Sequence, residues 1–562
     1  SEGFELVEKN WITKIKSGEW LVLKNVHLAP NWLNELEKKL NSSEPNPNFR
    51  LFLTMEFNPK IPANVLRIAR KFVFELPSGI KHSLIRSYAN ALQPARSEKL
   101  PKERCRLHFL LAWFHAVIGE RLRYVPIGWS KYYEFNESDQ RCALEAIDEW
   151  INIHSKGQEN IAPNKIPWDA IRTIIHQSMY GGKIDNEYDM KILESLVNLY
   201  FNEKTFDNNY PLFKTSNENT SNKLIVPNRP NNAGFIEWVN ALPNVESPEW
   251  SGLPNNAEKL VRETASRRFI TEMNKIQGVE DEELSTVSSA GDKSQSSWLV
   301  SVQEKSEKLL SSLPSEVLPL KGTESSNNDP IFRFLKREVA VAIKLLNKVR
   351  ADLKQLILMS KGEGKSTNEL RDIAKNIFND TVPSVWQVYA TLELNITEWI
   401  LDLRNRINQL NYITKSEDYG KSNLWLGGLI FPEAYLTATR QSVAQELSVP
   451  LDELVLSVEL VKDITSVDKT SFVLKGLCIE GSEWDYNDNK LIMTDNLFCQ
   501  LPPFLLKWSI KKNKDLSKMF PIPVYLNNMR KNLLFSVFIQ NDSVLSDSDW
   551  YQRGIALISW NK

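Results

Sequence analysis

Residues 18–30 read Gly-Glu-Trp-Leu-Val-Leu-Lys-Asn-Val-His-Leu-Ala-Pro. A short apolar run, Trp20 to Leu23, is broken by Lys24 and Asn25, and a helix signal follows at Pro30. An apolar strand that delivers polar side chains at its C-terminal tip and then turns into a helix belongs to a parallel sheet. In nucleotide-hydrolysing sheets, one acid at this tip holds magnesium and the next polarises the attacking water. Here a cation and an amide fill the two positions. The place for catalysis is present and the catalytic groups are not.

The same alternation continues on both sides. Residues 5–16 read as a helix, and strands are expected at 19–24, 49–54 and 71–75. Pro30 sits at a favoured first-turn position, and Trp32, Leu33, Leu36 and Leu40 recur at helical spacing. After Pro59 and Pro62 a short helix runs to Arg70, and the Pro77-Ser78-Gly79 turn closes the segment. Three parallel strands make a poor free-standing sheet, because parallel sheets are covered on both faces. The first residue is not Met and lies inside a helical pattern, so more of this domain is expected upstream.

From about residue 80 to 270 the pattern is helical. Leu107 to Arg123 is apolar on most sides, the mark of a buried helix. Asn136 or Ser138 can cap a helix running to Ile153, Pro167-Trp168 opens another that ends at Gly181-Gly182, and residues 185–201 supply a fourth. A helical bundle after a P-loop-like sheet is the layout of an AAA+ lid. Residues 214–233, rich in Asn, Pro and Ser, read as a loop. Residues 279–297, acidic and then Ser-rich, are expected to be mobile.

Asp329 and Pro330 then open a long helix in which Phe332, Leu335, Val339, Ala342, Leu346, Val349, Leu353 and Leu356 alternate spacings of three and four. A coiled-coil arm usually runs longer, so a helix laid across a domain is the preferred reading. After Pro450 the period becomes two. Strands are expected around 454–460, 473–479, 490–494, 504–510, 522–526, 533–539 and 555–560, in an antiparallel barrel or sandwich.

Composition narrows the function class. The 562 residues contain 42% hydrophobic side chains and 17 Trp, enough for several packed cores. Sixty-nine basic residues face 70 acidic ones, a net charge of -1 that argues against nucleic acid or an anionic membrane as the main partner. Cys105, Cys142, Cys478 and Cys499 show no CxxC spacing, so no disulfide framework or zinc ribbon is expected and the usage suits a reducing compartment. The six His form no HxxxH or HxH pair, and no metal site is expected. No apolar run approaches the roughly 20 residues of a membrane span.

No GxxxxGK[ST] phosphate cradle occurs. Gly-Glu-Gly-Lys-Ser at 362–366 lacks the spacing and the preceding strand, and reads as a helix terminus. Thr54, Glu56 or Asn58 stands where a sensor residue would meet a γ-phosphate, and Glu56 would repel it. Arg67 and Arg70 lie where AAA+ rings carry an arginine that reaches a neighbour's nucleotide. His27, His108, His115 and His176 sit among apolar neighbours and read as satisfied core or interface side chains.

Several stretches then resemble the last AAA+ module and C-terminal region of cytoplasmic dynein heavy chains. They include Leu-Lys-Asn-Val-His-Leu-Ala-Pro (23–30), Phe-Arg-Leu-Phe-Leu-Thr-Met-Glu (49–56) and Leu-Ala-Trp-Phe-His-Ala (111–116). Ile-Gly-Trp-Ser-Lys-Tyr-Tyr-Glu-Phe (127–135), Tyr-Gly-Gly-Lys-Ile-Asp-Asn (180–186) and Gly-Leu-Pro-Asn-Asn-Ala-Glu (252–258) continue the likeness. So do residues 426–441 and Arg-Gly-Ile-Ala-Leu (553–557).

The resemblance implies a multidomain protein. Residues 1–80 would be the C-terminal half of the large α/β part of a sixth AAA+ module, and 81–250 its helical lid. Residues 251–449 would be the helical part of a C-terminal domain, and 450–562 its β part. It implies a non-catalytic end of a minus-end-directed microtubule motor, without catalytic or nucleotide-binding residues. Lys24 and Asn25 mark a degenerate acid position, Glu56 and Asn58 a degenerate sensor, and Arg67 or Arg70 a trans-acting arginine. ATP or ADP and magnesium would belong to upstream modules. Implied partners are the other AAA+ modules, microtubules through an upstream stalk, and a second heavy chain and accessory chains through an upstream tail. A second reading makes the β domain a docking platform for regulatory proteins.

Overall fold

The computed structural model describes residues 2–56, 58, 60–73, 77–213, 224–287, 297–314, 316–320, 328–364, 366–389, 395–415, 423–459, 468, 470–488, 490–494, 496, 498–510, 519–539 and 545–559. The chain forms two compact units, residues 1–76 and 77–562.

In the first unit, helix Glu2–Ser17 leads through Gly18 into β1, Trp20–Leu23. Helix Pro30–Ser42 follows, then β2, Arg50–Leu53, and the short helix Ala63–Ile68. β1 and β2 pair in parallel from Trp20↔Arg50 to Leu23↔Leu53. Strand alternation sends Leu21 and Leu23 into a core with Trp11, Ile15, Leu33, Leu36 and Val65. On the opposite face Trp20 and Phe52 are 66% and 43% exposed, their ring centroids 5.3 Å apart. The third strand expected at 71–75 is not formed over residues 71–73, and residues 74–76 lie outside the described residues. Phe72 is 90% exposed, so its apolar run has neither a packed face nor a paired edge to hold it extended.

The second unit begins with the expected helical lid. Its axis is helix Glu103–Arg121, in which Leu107, Phe109, Leu110, Leu111 and Trp113 are fully buried. Helices Ile80–Asn90, Glu137–Ser155, Glu187–Tyr200 and Asn232–Ala241 add their apolar faces to the same core. Asn136 is the cap chosen at Glu137, in a reciprocal capping box with Asp139. The helix opened at Trp168 widens into a π-turn at Ile174–Met179 before Gly181-Gly182.

Helix Ala257–Val287 carries the polypeptide onward, so the acidic part of the expected mobile segment continues a helix; residues 288–296 lie outside the described residues. Of the loop expected at 214–233, residues 214–223 also lie outside them, as does Lys365 of the 362–366 stretch. Helix Pro330–Ser360 is capped by Asp329, and its apolar stripe is buried throughout. Its first turns (Ile331, Phe334, Leu335) join the β core, whereas Val339 to Leu356 join a helical core with Ile373, Trp386 and Trp399. It is a structural spine, not an arm.

The remaining strands are β3 (Leu424–Trp425), β4 (Leu454–Glu459), β5 (Ser471–Lys475), β6 (Cys478–Glu480), β7 (Glu483–Asp485) and β8 (Lys490–Ile492). After them come β9 (Phe498–Gln500), β10 (Phe504–Ile510), β11 (Phe520–Tyr525), β12 (Leu533–Ile539) and β13 (Ala556–Ile558). Two open sheets, ordered β3-β5-β10-β4 and β12-β11-β13-β6-β9, share one core, with β7 and β8 as a separate hairpin. This is the sandwich alternative; among the described residues no barrel closes. Two pairings depart from the antiparallel expectation. β3 lies parallel to β5, and β13 lies parallel to β11. Each partner is separated in sequence by a helix-containing crossover, which parallel neighbours require.

Candidate functional site

The tips of β1 and β2 are brought together as the sequence suggests, but by a polar clasp. Asn25 takes a left-handed backbone (φ 55°), a conformation that Asn tolerates better than most residues. Its N–H donates to Thr54 Oγ1 at 3.1 Å. Thr54 N–H donates to the Leu23 carbonyl at 3.0 Å, and Val26 N–H to the Thr54 carbonyl at 3.1 Å. His27 extends the clasp: its Nδ1 accepts from Glu56 N–H at 3.2 Å, and its carbonyl accepts from Asn58 Nδ2 at 3.3 Å.

These groups have the chemistry of a strand-end cap. Asn58 is turned inward, its Oδ1 taking Lys60 N–H at 2.9 Å. The Glu56 carboxylate points to solvent, 85% exposed and 3.8 Å from His27 Nε2. Lys24 is exposed, and its ammonium has no lone pair with which to ligate a metal. Arg67, in the last turn of helix Ala63–Ile68, and Arg70, just beyond it, are both exposed.

The other histidines are distributed through the lid. His108 is fully buried between Ser97 Oγ (3.1 Å) and Asp148 Oδ1 (2.9 Å). Burial pushes its imidazole below the ordinary value, so Nε2–H donates to the carboxylate. Arg96 (2.7 Å) and Arg104 complete the partners of Asp148. His115 Nδ1 lies 3.1 Å from the Tyr180 hydroxyl, and burial pushes its imidazole down to about 4. His176 departs from the expectation of satisfied histidines: its Nε2 is buried without a hydrogen-bond partner among the described residues.

The more elaborate polar construction lies where the lid meets the β sandwich, and sequence reasoning missed it. Arg121 ends the central lid helix and is fully buried. Its Nε donates to the Gly128 carbonyl at 3.0 Å, and Nη1 donates to the carbonyls of Ser251 (2.6 Å) and Gln552 (2.9 Å). The guanidinium also lies 5.6 Å from the Trp129 ring centroid. Burial lowers it to about 10, so it remains a cation at neutral pH.

Neighbouring contacts cross the same junction or hold one side of it. Asp189 accepts from Ser130 N–H and Oγ and from the Tyr133 hydroxyl. Burial raises its carboxyl, and these donors oppose the rise. Arg530 bridges Glu480 and the Gly554 carbonyl, both at 2.6 Å. The Tyr188 hydroxyl meets Ser536 Oγ at 2.5 Å, and Asn256 Nδ2 donates to the Asn496 carbonyl at 2.8 Å. Two glycines let the backbones approach. A Cβ on Gly554 (φ 68°) would lie 2.5 Å from the Ile127 carbonyl oxygen, and one on Gly252 (φ 78°) 3.2 Å from the Gln552 side chain.

The sequence did hold a signal: an Arg at the end of a helix apolar on most sides needs an internal partner when it is buried. Three of the conspicuous stretches, 127–135, 252–258 and 553–557, converge here.

A parallel α/β segment, followed in sequence by a helical lid and a β sandwich, is the element order of an AAA+ module with an added C-terminal domain. Residues 4–73 match the family model of the region D6 P-loop domain of dynein heavy chains, and 104–257 that of their AAA lid domain. Residues 263–559 match the model of the C-terminal domain of dynein heavy chains. The protein belongs to the dynein heavy chain family, and corresponds to its AAA+ lid and C-terminal domain in the cytoplasmic type. It is 45% identical to a cytoplasmic dynein heavy chain of Paramecium tetraurelia, over 100% of the present sequence and 12% of that protein. Its likeness to the cytoplasmic heavy chain of Dictyostelium discoideum is 41%, and to that of Drosophila melanogaster 38%, with the same coverage. It thus spans 12% of the length of these curated relatives.

Proposed function

We propose that this protein is the non-catalytic, mechanical end of a cytoplasmic, microtubule minus-end-directed motor. Its degenerate sixth AAA+ module, lid and C-terminal domain brace the ring and pass on conformational changes driven by ATP hydrolysis in other modules. Lys24, Asn25, Glu56 and Asn58 serve as strand-end caps, and Arg67 or Arg70 is the candidate to reach a neighbouring nucleotide. The other modules of the same heavy chain are its direct partners. Microtubules, a second heavy chain and accessory chains engage the motor elsewhere.

The observation that carries this reading is the Arg121 tie. A brace must move as one body with the lid, and a fully buried guanidinium hydrogen-bonded to both Ser251 and Gln552 supports that. Within the C-terminal domain, a helical part to residue 449 and a β part from 450 remain the proposed division. Helix Pro432–Leu447 and β3 nevertheless share the core of the later strands, so truncation should precede the whole domain. The test is a full motor ending at residue 257, compared with the intact motor for velocity, run length and stall force. A changed stall force or run length is expected; three unchanged values would remove the bracing role.

A further inference from the structure

We propose that residues 246–251 form a strap coupling the first turn of the lid to the C-terminal domain, with Glu246 as its positioning residue. The inference rests on the bracing reading and gives it a route.

Helix Ile80–Asn90 opens after Gly79, which has no side chain to cap it. Its free N–H groups are taken by a side chain 165 or more positions away: Glu246 accepts from Ile80 at 2.6 Å and Lys81 at 2.8 Å. The carboxylate sits so close that a Cβ on Gly79 would lie 2.9 Å from it. Lys81 Nζ returns to the Leu242 carbonyl (2.5 Å) and Asn244 Oδ1 (2.9 Å).

From this anchor the backbone enters a capped turn within two residues. Ser247 caps the turn Pro248–Ser251, and Asn255 Nδ2 holds Glu249 at 2.9 Å. Trp250 is 6% exposed and packs 6.4 Å from Trp113. The far end is Ser251, whose carbonyl shares Arg121 Nη1 with the carbonyl of Gln552.

The central helix closes the loop through two adjacent residues. Glu120 Oε2 accepts from Gly79 N–H at 2.9 Å, while Arg121 holds Ser251 and Gln552. A displacement at residues 79–81 therefore bears on residue 552 through both the strap and the helix end. Coupling between distant sites is carried by such chains of packed side chains and hydrogen bonds.

The test is hydrogen exchange on the 562-residue protein with Glu246→Ala, Glu246→Gln and, as a control for general loosening, Asp148→Asn. Glu246→Ala should speed exchange about ten-fold at residues 80–84 and at least about three-fold at 552–555, with partial rescue in Glu246→Gln. Asp148→Asn should leave 552–555 unchanged. Reciprocity requires Arg121→Met to speed exchange at 80–84 as well. A Glu246→Ala effect confined to 80–84, or an equal effect of Asp148→Asn at 552–555, would overturn the strap. Because the readout is internal to these residues, a missing strap leaves the motor test of bracing to stand or fall separately.

Discussion

Arg121 Nη1 donates to the carbonyl of Gln552, 431 positions later, at 2.9 Å. The same side chain holds Gly128 and Ser251, so one buried cation satisfies three carbonyls from three segments. Its desolvation is offset only while all three accept. Arg121→Ala should therefore destabilise the fold by about 3 kcal/mol, because buried carbonyls lose their donor. Arg121→Lys should recover less than half of this, since an ammonium cannot reproduce the planar fork. Urea unfolding of the three proteins checks both; equal stability of the Lys variant and the parent would refute the geometric account.

Gly554 makes a second, independent demand on the junction. Its φ is 68°, and an added Cβ would lie 2.5 Å from the Ile127 carbonyl oxygen. The obstacle is backbone, which cannot swing aside like a flexible side chain. Gly554→Ala should cost about 2 kcal/mol or more, combining left-handed strain with displacement of the 127–128 turn. Gly157, also at positive φ (79°) but facing open space, should lose only about 1 kcal/mol on the same change. Thermal unfolding of the two variants separates crowding from backbone strain.

Much of this architecture was legible because its signals are local. Trp20 to Leu23, the caps at Asn136 and Asp329, and the spacing from Phe332 to Leu356 each announce an element from within a few residues. The strand tip was also legible, since Lys24 and Asn25 break the apolar run after Leu23. What the residues do instead was not: nothing near His27 says that its ring will take Glu56 N–H. The junction was least visible, because Ser251 and Gln552 lie 130 and 431 positions from Arg121. Phe72 failed in the opposite way, an apolar run without packing partners among the described residues.

His115 predicts one pH dependence. Burial pushes its imidazole from 6.5 down to about 4 in the folded state. Between those values the unfolded state binds the proton and the folded state does not, so stability rises with pH through the window. The contribution is complete above about 6.5 and is lost as the pH falls to about 4. His115→Gln should flatten this part of the stability profile, measured by urea midpoints between about pH 4 and 7. An unchanged slope would show that another group supplies it.

Asp148 acts in a lower window and with another cause. Burial alone would raise its carboxyl, but hydrogen bonds from His108, Arg96 and Arg104 reverse this and hold it well below the ordinary 3.8. Its contribution is therefore present above 3.8 and lost as the pH falls below that value toward the folded one. At neutral pH, Asp148→Asn should cost about 3 kcal/mol, because Arg104, 2% exposed, loses its carboxylate while remaining buried. The variant should also lose the acid limb below about pH 4, whereas His115→Gln should keep it. Urea titrations of both variants across about pH 2.5 to 7 decide the assignment.

The strand tip supplies the last test. Asn25→Asp places a carboxylate at the strand tip, where a catalytic sheet would hold magnesium, and Asp tolerates the same left-handed backbone. The clasp needs only the N–H of residue 25, which donates to Thr54 Oγ1, so the fold should change by less than about 0.5 kcal/mol. Lys24 stands beside the introduced acid, and the exposed Glu56 carboxylate would repel a γ-phosphate at the tip. ATP binding by the variant should therefore remain undetectable by calorimetry with magnesium at millimolar nucleotide. His27→Ala should instead loosen the tip by about 1 kcal/mol, because Glu56 N–H loses its acceptor. If Asn25→Asp bound nucleotide and His27→Ala did nothing, the tip would be a dormant catalytic site; the reverse pattern fits a structural clasp.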